Sequence, residues 1–243
     1  MCILIVLRGV DAEYPIIAAS NRDENRDRNA MPPGFFPGAR RRMLSPRDRK
    51  AGGTWMAVSA DGRFAGITNI AGQPVHPEAE SRGNLPHLAL DEDDLDAACA
   101  AIERELARAR YNAFQLLLSD GSRSCILRHV DGRLAHSFTD AKVLVITNEH
   151  ALGALVLPGL DAALVSGLGI AERFAKLAPL LLDEGQRSGH RVLKSGGTYG
   201  TVSSSLVAVH HADPTKLIWE YAAASPREVP YRSYGNLGRR LVG

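Results

Sequence analysis

Cysteine is scarce in this chain of 243 residues: there are three, Cys2, Cys99 and Cys125. They are odd in number and widely spaced, and no Cys-x-x-Cys or Cys-x-x-Cys-His run occurs. A disulfide scaffold, a zinc ribbon and c-type haem attachment therefore lack support. Long apolar runs are missing too; none approaches the ~20 residues that a membrane-crossing helix needs. The first apolar stretch, Cys2–Leu7, is short and has no basic region before it, unlike a secretory signal. The expectation is a cytoplasmic protein without a membrane span. There is no internal repeat and no low-complexity segment. Charge of one sign is lacking as well, since the net is only +2. The one basic run, Arg40-Arg41-Arg42 with Arg47, Arg49 and Lys50, has acids nearby and no recognition motif around it. It reads as a solvated loop, and no nucleic-acid partner is expected. Gly52-Gly53-Thr54-Trp55 has no following Gly-Lys-Ser/Thr and no helix behind it, which excludes a phosphate-cradling loop.

What remains is an ordinary globular composition, 45 % hydrophobic and 23 % charged. The length suits one domain spanning 1–243. Cys2–Leu7 and Tyr14–Ala19 are short, rich in β-branched residues and separated by a turn, so they read as a hairpin of buried strands. Residues 25–51 carry Pro32, Pro33, Gly34, Pro37 and Gly38 and read as a long surface loop. Thr54–Ser59 and Arg63–Asn69 form a hairpin across Asp61-Gly62. Asp91–Arg110 is the clearest helix, with Asp91 as its cap and Leu95, Cys99, Ile102 and Leu106 on one face. Phe114–Leu118, Ser124–Arg128 and Arg133–Ser137 follow as strands, then Lys142–Thr147. Ile170–Leu182 is a second amphipathic helix. Thr201–His210 and Leu217–Ala222 close the pattern, and the basic tail from Tyr231 reads as irregular. Many short hairpins and few helices point to an α+β fold with antiparallel sheets and helices on their outer faces.

Cysteine directly behind the initiator methionine is small enough to allow methionine removal. Cys2 would then carry a thiol and a free α-amine on one residue. The amine, with a reference pKa near ~8, can serve as the thiol's own general base. The second strand of the hairpin ends in Asn21-Arg22-Asp23-Glu24, and antiparallel pairing returns that cluster to the sheet end where Cys2 lies. An aspartate there can hold the ammonium, and an arginine can lower the thiol pKa or bind a substrate carboxylate. Asn21 and Glu24 join them as candidate substrate-binding groups. Trp55 either packs on the core or lines a pocket. Phe35-Phe36 either packs back or forms a flap over the Cys2 region. His210-His211 reads as surface, and His129, His136 and His150 show no metal-ligand spacing, so no metal site is expected.

Met1-Cys2 followed by Asn21-Arg22-Asp23-Glu24 resembles the opening of the NRDE, or transport-and-Golgi-organisation, family. The likeness continues through Ala51-Gly52-Gly53-Thr54-Trp55, Gly66-Ile67-Thr68-Asn69, Ser81-Arg82-Gly83, Tyr111-Asn112-Ala113-Phe114, Thr147-Asn148-Glu149 and Tyr199-Gly200-Thr201. That family in turn resembles N-terminal-nucleophile (Ntn) hydrolases of the cholylglycine hydrolase and penicillin V acylase kind. The resemblance implies an αββα sandwich in which Cys2 is the nucleophile and Asp23 stands by its α-amine. It also implies that Asn148 belongs to an oxyanion hole and that Asn69 is a second polar group near the acyl carbonyl. Two positions depart from the pattern. Ser20 stands where the hydrolases carry arginine, and Val202 stands where the nearer family usually does. The expected function is cleavage of a linear amide without a cofactor. The alternative is a non-catalytic carrier of haem, a role linked to the family, or of another hydrophobic ligand.

Overall fold

The computed structural model describes residues 2–35, 40–187 and 189–242. Its frame is two antiparallel sheets. The first is built on β1 (Ile3–Arg8), which lies between β2 (Ile16–Asn25) and β10 (Val143–Thr147). On the other side of β2 come β11 (Tyr199–Val209), β12 (Ile218–Ala222) and the short β13 (Arg232–Ser233). The second sheet is a seven-stranded meander in chain order. It comprises β3 (Ala30–Phe35), β4 (Met43–Asp48), β5 (Met56–Ser59), β6 (Phe64–Asn69), β7 (Phe114–Ser119), β8 (Ser124–Val130) and β9 (Arg133–Thr139).

The unbroken apolar runs of β1 and β2 have a simple cause: both faces of their sheet are covered. Side chains alternate along a strand. Leu4, Val6, Ile16 and Ala18 point at the second sheet and meet Met56, Val58, Phe64 and Leu117. Ile3, Ile5, Leu7, Ile17 and Ala19 point the other way, onto Phe174, Leu177 and Leu181 of α3 (Ile170–Leu181). The outer face of the second sheet, with Ala65, Leu116, Leu118 and Leu127, is covered by α1 (Leu85–Leu90) and α2 (Leu95–Arg108) through Leu85, Leu95, Cys99 and Ile102. The order of layers is helix, sheet, sheet, helix, the αββα architecture that the family resemblance implies. Among the described residues no helix is long and apolar enough to cross a membrane.

Several expectations need correction. Residues 25–51 are not one loop: they contain β3 and β4, which pair with a register shift between Met31 and Gly34. Pro32 and Pro33 are tolerated because β3 is the edge of its sheet, where a missing donor costs no ladder bond. β2 does not stop before the polar cluster. It runs to Asn25, because β11 pairs with it along that length. The 91–110 segment is helical over Leu95–Arg108, but the cap is Asp94, whose carboxylate accepts from the Ala97 N–H at 2.8 Å. Asp91 instead ends α1 and accepts from the Arg40 and Arg41 backbones. The basic run is thus held by acids, Arg41 also pairing with Asp61 and Asp93. His210 is buried rather than exposed; its Nδ1 accepts from the Ala212 and Asp213 N–H groups.

The two glycine blocks pack backbone on backbone. The Thr54 N–H donates to the Gly83 carbonyl at 2.9 Å. A Cβ on Gly53 would stand 2.5 Å from the Gly83 carbonyl carbon and 2.7 Å from its Cα. Nothing flexible is available to yield, so Gly53→Ala is expected to cost ~1–3 kcal/mol in denaturant unfolding, the range for overpacking. Gly197→Ala, where a Cβ meets nothing within 4 Å, is expected to change stability by less than ~0.5 kcal/mol.

Candidate active site

Antiparallel pairing on both sides of β1 assembles the site. Ile3 stands opposite Asn21 on β2 and opposite Thr147 on β10. Cys2, one residue earlier, therefore reaches the residue after β10. Its backbone N–H donates to Asn148 Oδ1 at 2.6 Å, and its carbonyl accepts from the Asn148 N–H at 3.3 Å. On the other side, Cys2 Sγ lies 3.9 Å from the Asp23 main-chain carbonyl oxygen. Burial pushes the Cys2 thiol above its ordinary value, the Asp23 charge adds to this, and Arg22 opposes it. At neutral pH the sulfur is held as a thiol and needs a base to become a nucleophile.

Asp23 is almost wholly buried. Its Oδ1 accepts from the Thr201 hydroxyl at 2.7 Å, and its main-chain carbonyl accepts from the Tyr199 hydroxyl at 3.0 Å. Burial raises its carboxyl to about 6, against the Thr201 hydrogen bond and the charge of Lys194. A β-bulge between Thr201 and Ser203 sets β11 locally out of register with β2 at this point.

A cleft of about 450 Å³ opens beside Cys2. Arg22, Asp23, Glu24, Trp55 and Asn69 line it with Cys2. The Arg22 guanidinium lies over the Trp55 ring, 4.6 Å from its centroid, and 3.2 Å from Asp48 Oδ2. Arg28 binds the same Asp48 oxygen at 2.7 Å and Glu24 at 3.1 Å. Trp55 thus both packs on the core and lines the cleft.

Two proposed residues, Asn21 and Phe35, are placed differently. Asn21 turns its side chain away from the cleft, toward α3, where Nδ2 donates to the Leu181 and Val192 carbonyls. It occupies the same face of β2 as Ile17 and Ala19, against α3, and does not line the cleft. Phe35 lies at the far end of β3 from the cleft, with Arg240 stacked 5.0 Å from its ring centroid. It is no flap; its ring packs against the inter-sheet core. Phe36 lies outside the described residues.

Among the cleft residues that the sequence did not single out is an arginine. Arg82 lines the cleft and donates to the Ala113 carbonyl at 2.9 Å. No carboxylate of the described residues forms an ion pair with it. Burial and the neighbouring Arg28 pull its pKa down, so it is a cation short of a counter-charge. The signal was present in the sequence as an arginine between a helix-capping serine and a glycine. Its partner blocks are distant in the chain, so only the packing of Gly53 on Gly83 delivers it here.

The two departing positions, Ser20 and Val202, have defined local settings. The Ser20 hydroxyl donates to the Ile3 carbonyl at 2.7 Å. Arg22 follows on the same face of β2 two residues on, so a guanidinium is still supplied to the Cys2 side of the sheet. Val202 sits in the bulge of β11.

A cysteine directly before a central strand, with a buried aspartate and an asparagine at its backbone nitrogen, defines a candidate nucleophile site at the end of an αββα sandwich. The family model for Transport and Golgi organisation 2 matches residues 1–157, and the chain belongs to that family. It is similar to the mouse Transport and Golgi organization 2 homolog, 32 % identical over 114 residues that cover 46 % of this chain and 41 % of that one. The bovine homolog is 33 % identical over 110 residues, 44 % of this chain and 39 % of the other. The matched stretch thus spans about two fifths of those relatives' length. Two crystal structures of Clostridium perfringens conjugated bile acid hydrolase variants are similar over 96 % of each chain. Sequence identity is 10 % for both, with TM-scores of 0.48 and 0.49.

The raised Asp23 carboxyl has a signed consequence. A carboxyl whose folded-state pKa lies above its unfolded value stabilises the fold below the unfolded value and loses that contribution as pH rises through the folded one. The window here runs from 3.8 to about 6. Asp23→Asn is therefore expected to be more stable than the parent at pH ~7.5, by about 3 kcal/mol at 1.36 kcal/mol per pH unit. Urea unfolding should show the gain shrinking below pH ~6 and vanishing near pH ~3.5.

Proposed function

We propose that this protein is an N-terminal-nucleophile amidohydrolase acting on a linear, non-peptide amide. The observation that carries the reading is the setting of Cys2. Its nitrogen is held at 2.6 Å by Asn148 Oδ1, and its sulfur faces a cleft beside Asp23 and Arg22.

Removal of Met1 would turn the Cys2 nitrogen into an α-amine. The amine takes the thiol proton as the sulfur attacks the amide carbonyl carbon. The tetrahedral oxyanion is stabilised by Asn148 Nδ2, since Oδ1 of that side chain is committed to the Cys2 nitrogen, together with a backbone N–H; Asn69 approaches from the β6 end. The amine returns the proton to the leaving nitrogen, the C–N bond breaks, and a thioester remains on Cys2. Water, deprotonated by the same amine, attacks the thioester and releases the acid and the thiol. Asp23 holds the ammonium form between the two steps, and Arg22 favours the thiolate. Arg82, without an acidic partner, suits a carboxylate on the substrate. Glu24 is engaged by Arg28 and shapes the cleft wall.

The competing reading, a carrier of haem or another hydrophobic ligand in the same cleft, has less support. The lining is dominated by charged and amide groups rather than by an apolar slot.

Intact mass of the purified protein should show Met1 absent. A thiol-reactive acyl probe should label Cys2 well ahead of Cys99 and Cys125, which are buried with their sulfurs 3.3 Å apart. Cys2→Ser should lower turnover across a panel of carboxylate-bearing linear amides by at least ~1000-fold. A retained methionine, or labelling without preference together with a saturable haem titration insensitive to Cys2→Ser, would sink the enzyme reading.

A further inference from the structure

A second group of chemically able side chains lies just past Asn148, on the other side of the turn that holds Cys2. Glu149, His150 and His190 bring one ligand atom each to within 4.8 Å of one another. The two imidazoles meet edge to face with centroids 4.9 Å apart, and His190 Nδ1 lies 3.8 Å from Glu149 Oε2. We propose that Glu149, His150 and His190 form a binding site for a divalent transition-metal ion of the zinc type.

The donors suit that class: two imidazoles and one carboxylate leave a further coordination position toward solvent. Ligand atoms around tetrahedral zinc stand about 3.4 Å apart at bond lengths near ~2.1 Å. The set therefore closes by rotation of side chains, and the backbone need not move. That backbone is fixed on both sides. The 147–150 turn is held by the Thr147 hydroxyl, which accepts from the Glu149 and His150 N–H groups. Gln115 of the opposite sheet holds it too, donating to the Thr147 and His150 carbonyls at 2.9 and 3.2 Å. The segment carrying His190 is tied by the Leu193 N–H to the Asp183 carbonyl at 2.7 Å, and by Asn21 to the Val192 carbonyl.

The imidazoles are also prepared for an ion. His150 Nδ1 stands 3.1 Å from the Thr147 hydroxyl. That contact holds the ring and leaves Nε2 as the nitrogen available to an ion, the outer-shell arrangement that orients metal-bound histidine. His190 is largely buried and packs edge to face on His150. Glu149 is half exposed and gives the ion its way in. Its partner Lys194, at 3.9 Å, is a loose surface contact that an ion displaces. The site is independent of the Cys2 chemistry, although both hang on the same turn.

The test uses full-length protein stripped with a chelator, in a Cys2→Ala background so that the thiol cannot contribute. Zn²⁺ is titrated in competition with a chromophoric chelator, and thermal melts are recorded with and without the ion. One equivalent should bind and raise the melting temperature. Outer-shell losses cost about 10–100-fold in affinity, so His150→Ala and His190→Ala should each weaken binding by at least ~100-fold and abolish the thermal shift. Glu149→Gln, which keeps the shape of the side chain and is the check against misfolding, should weaken binding as well. Absence of saturable binding by the parent, affinity that survives the His150→Ala/His190→Ala pair, or affinity unchanged by Glu149→Gln would each overturn the proposal.

Discussion

The register of β1 between β2 and β10 is the constraint on which the rest depends. Side chains alternate with a period of two, so a slip of one residue would send every apolar group of β1 to the wrong layer. It would also move Cys2 away from Asn148 and Asp23. Both faces of β1 are covered, one by the second sheet and one by α3, and that coverage pins the register. The placement of Cys2 is therefore a by-product of core packing, since the residues that lock the strand are apolar and lie behind it. Rigidity at the strand's start follows from the same cause and gives the sulfur and nitrogen a defined direction.

Around that point the protein concentrates charge where burial makes it costly. Asp23 sits almost wholly out of water and is raised for it, while Arg22, also buried, is paired with Asp48 and lies over the face of Trp55. A buried charge with partners is tolerable, and one without partners is a demand on whatever enters the site. Arg82, half-buried and bonded to the Ala113 carbonyl, forms no ion pair with a carboxylate among the described residues. Its position is set by the backbone contact of Gly53 with Gly83, which only the absence of a Cβ on both residues permits. Two short blocks of sequence that look like turn punctuation thus serve to bring a guanidinium to the cleft.

The turn after β10 divides its duties. Asn148 faces Cys2, and the next two residues face His190 on a segment some forty positions on. The same hydroxyl, that of Thr147, caps the turn and orients His150. Elsewhere the thiols of Cys99 and Cys125 lie against each other between α2 and β8, shut off from solvent. Of the three cysteines, Cys2 is the one that lines the cleft.

From the sequence alone came the fold class, the main strand pairs, both long helices and the pairing of Cys2 with the Asn21–Glu24 cluster. These are legible because periodicity and turn residues are local, and a hairpin's return point is simple arithmetic along the chain. The resemblance to the family supplied Asn148 and Asn69, which no local pattern marks. What the chain could not show was the side each residue takes. Asn21 and Phe35 are as polar and as aromatic as a cleft residue should be, but strand alternation and the length of β3 carry them elsewhere. The 25–51 segment looked irregular because its prolines forbid a central strand, and only its place at a sheet edge makes strands of it. Arg82 and the Glu149, His150 and His190 group depend on contacts between segments tens of residues apart. Such proximity belongs to the packed layers, because loop closure over those lengths is decided by the core that closes it and leaves no mark on the spacing of the residues themselves.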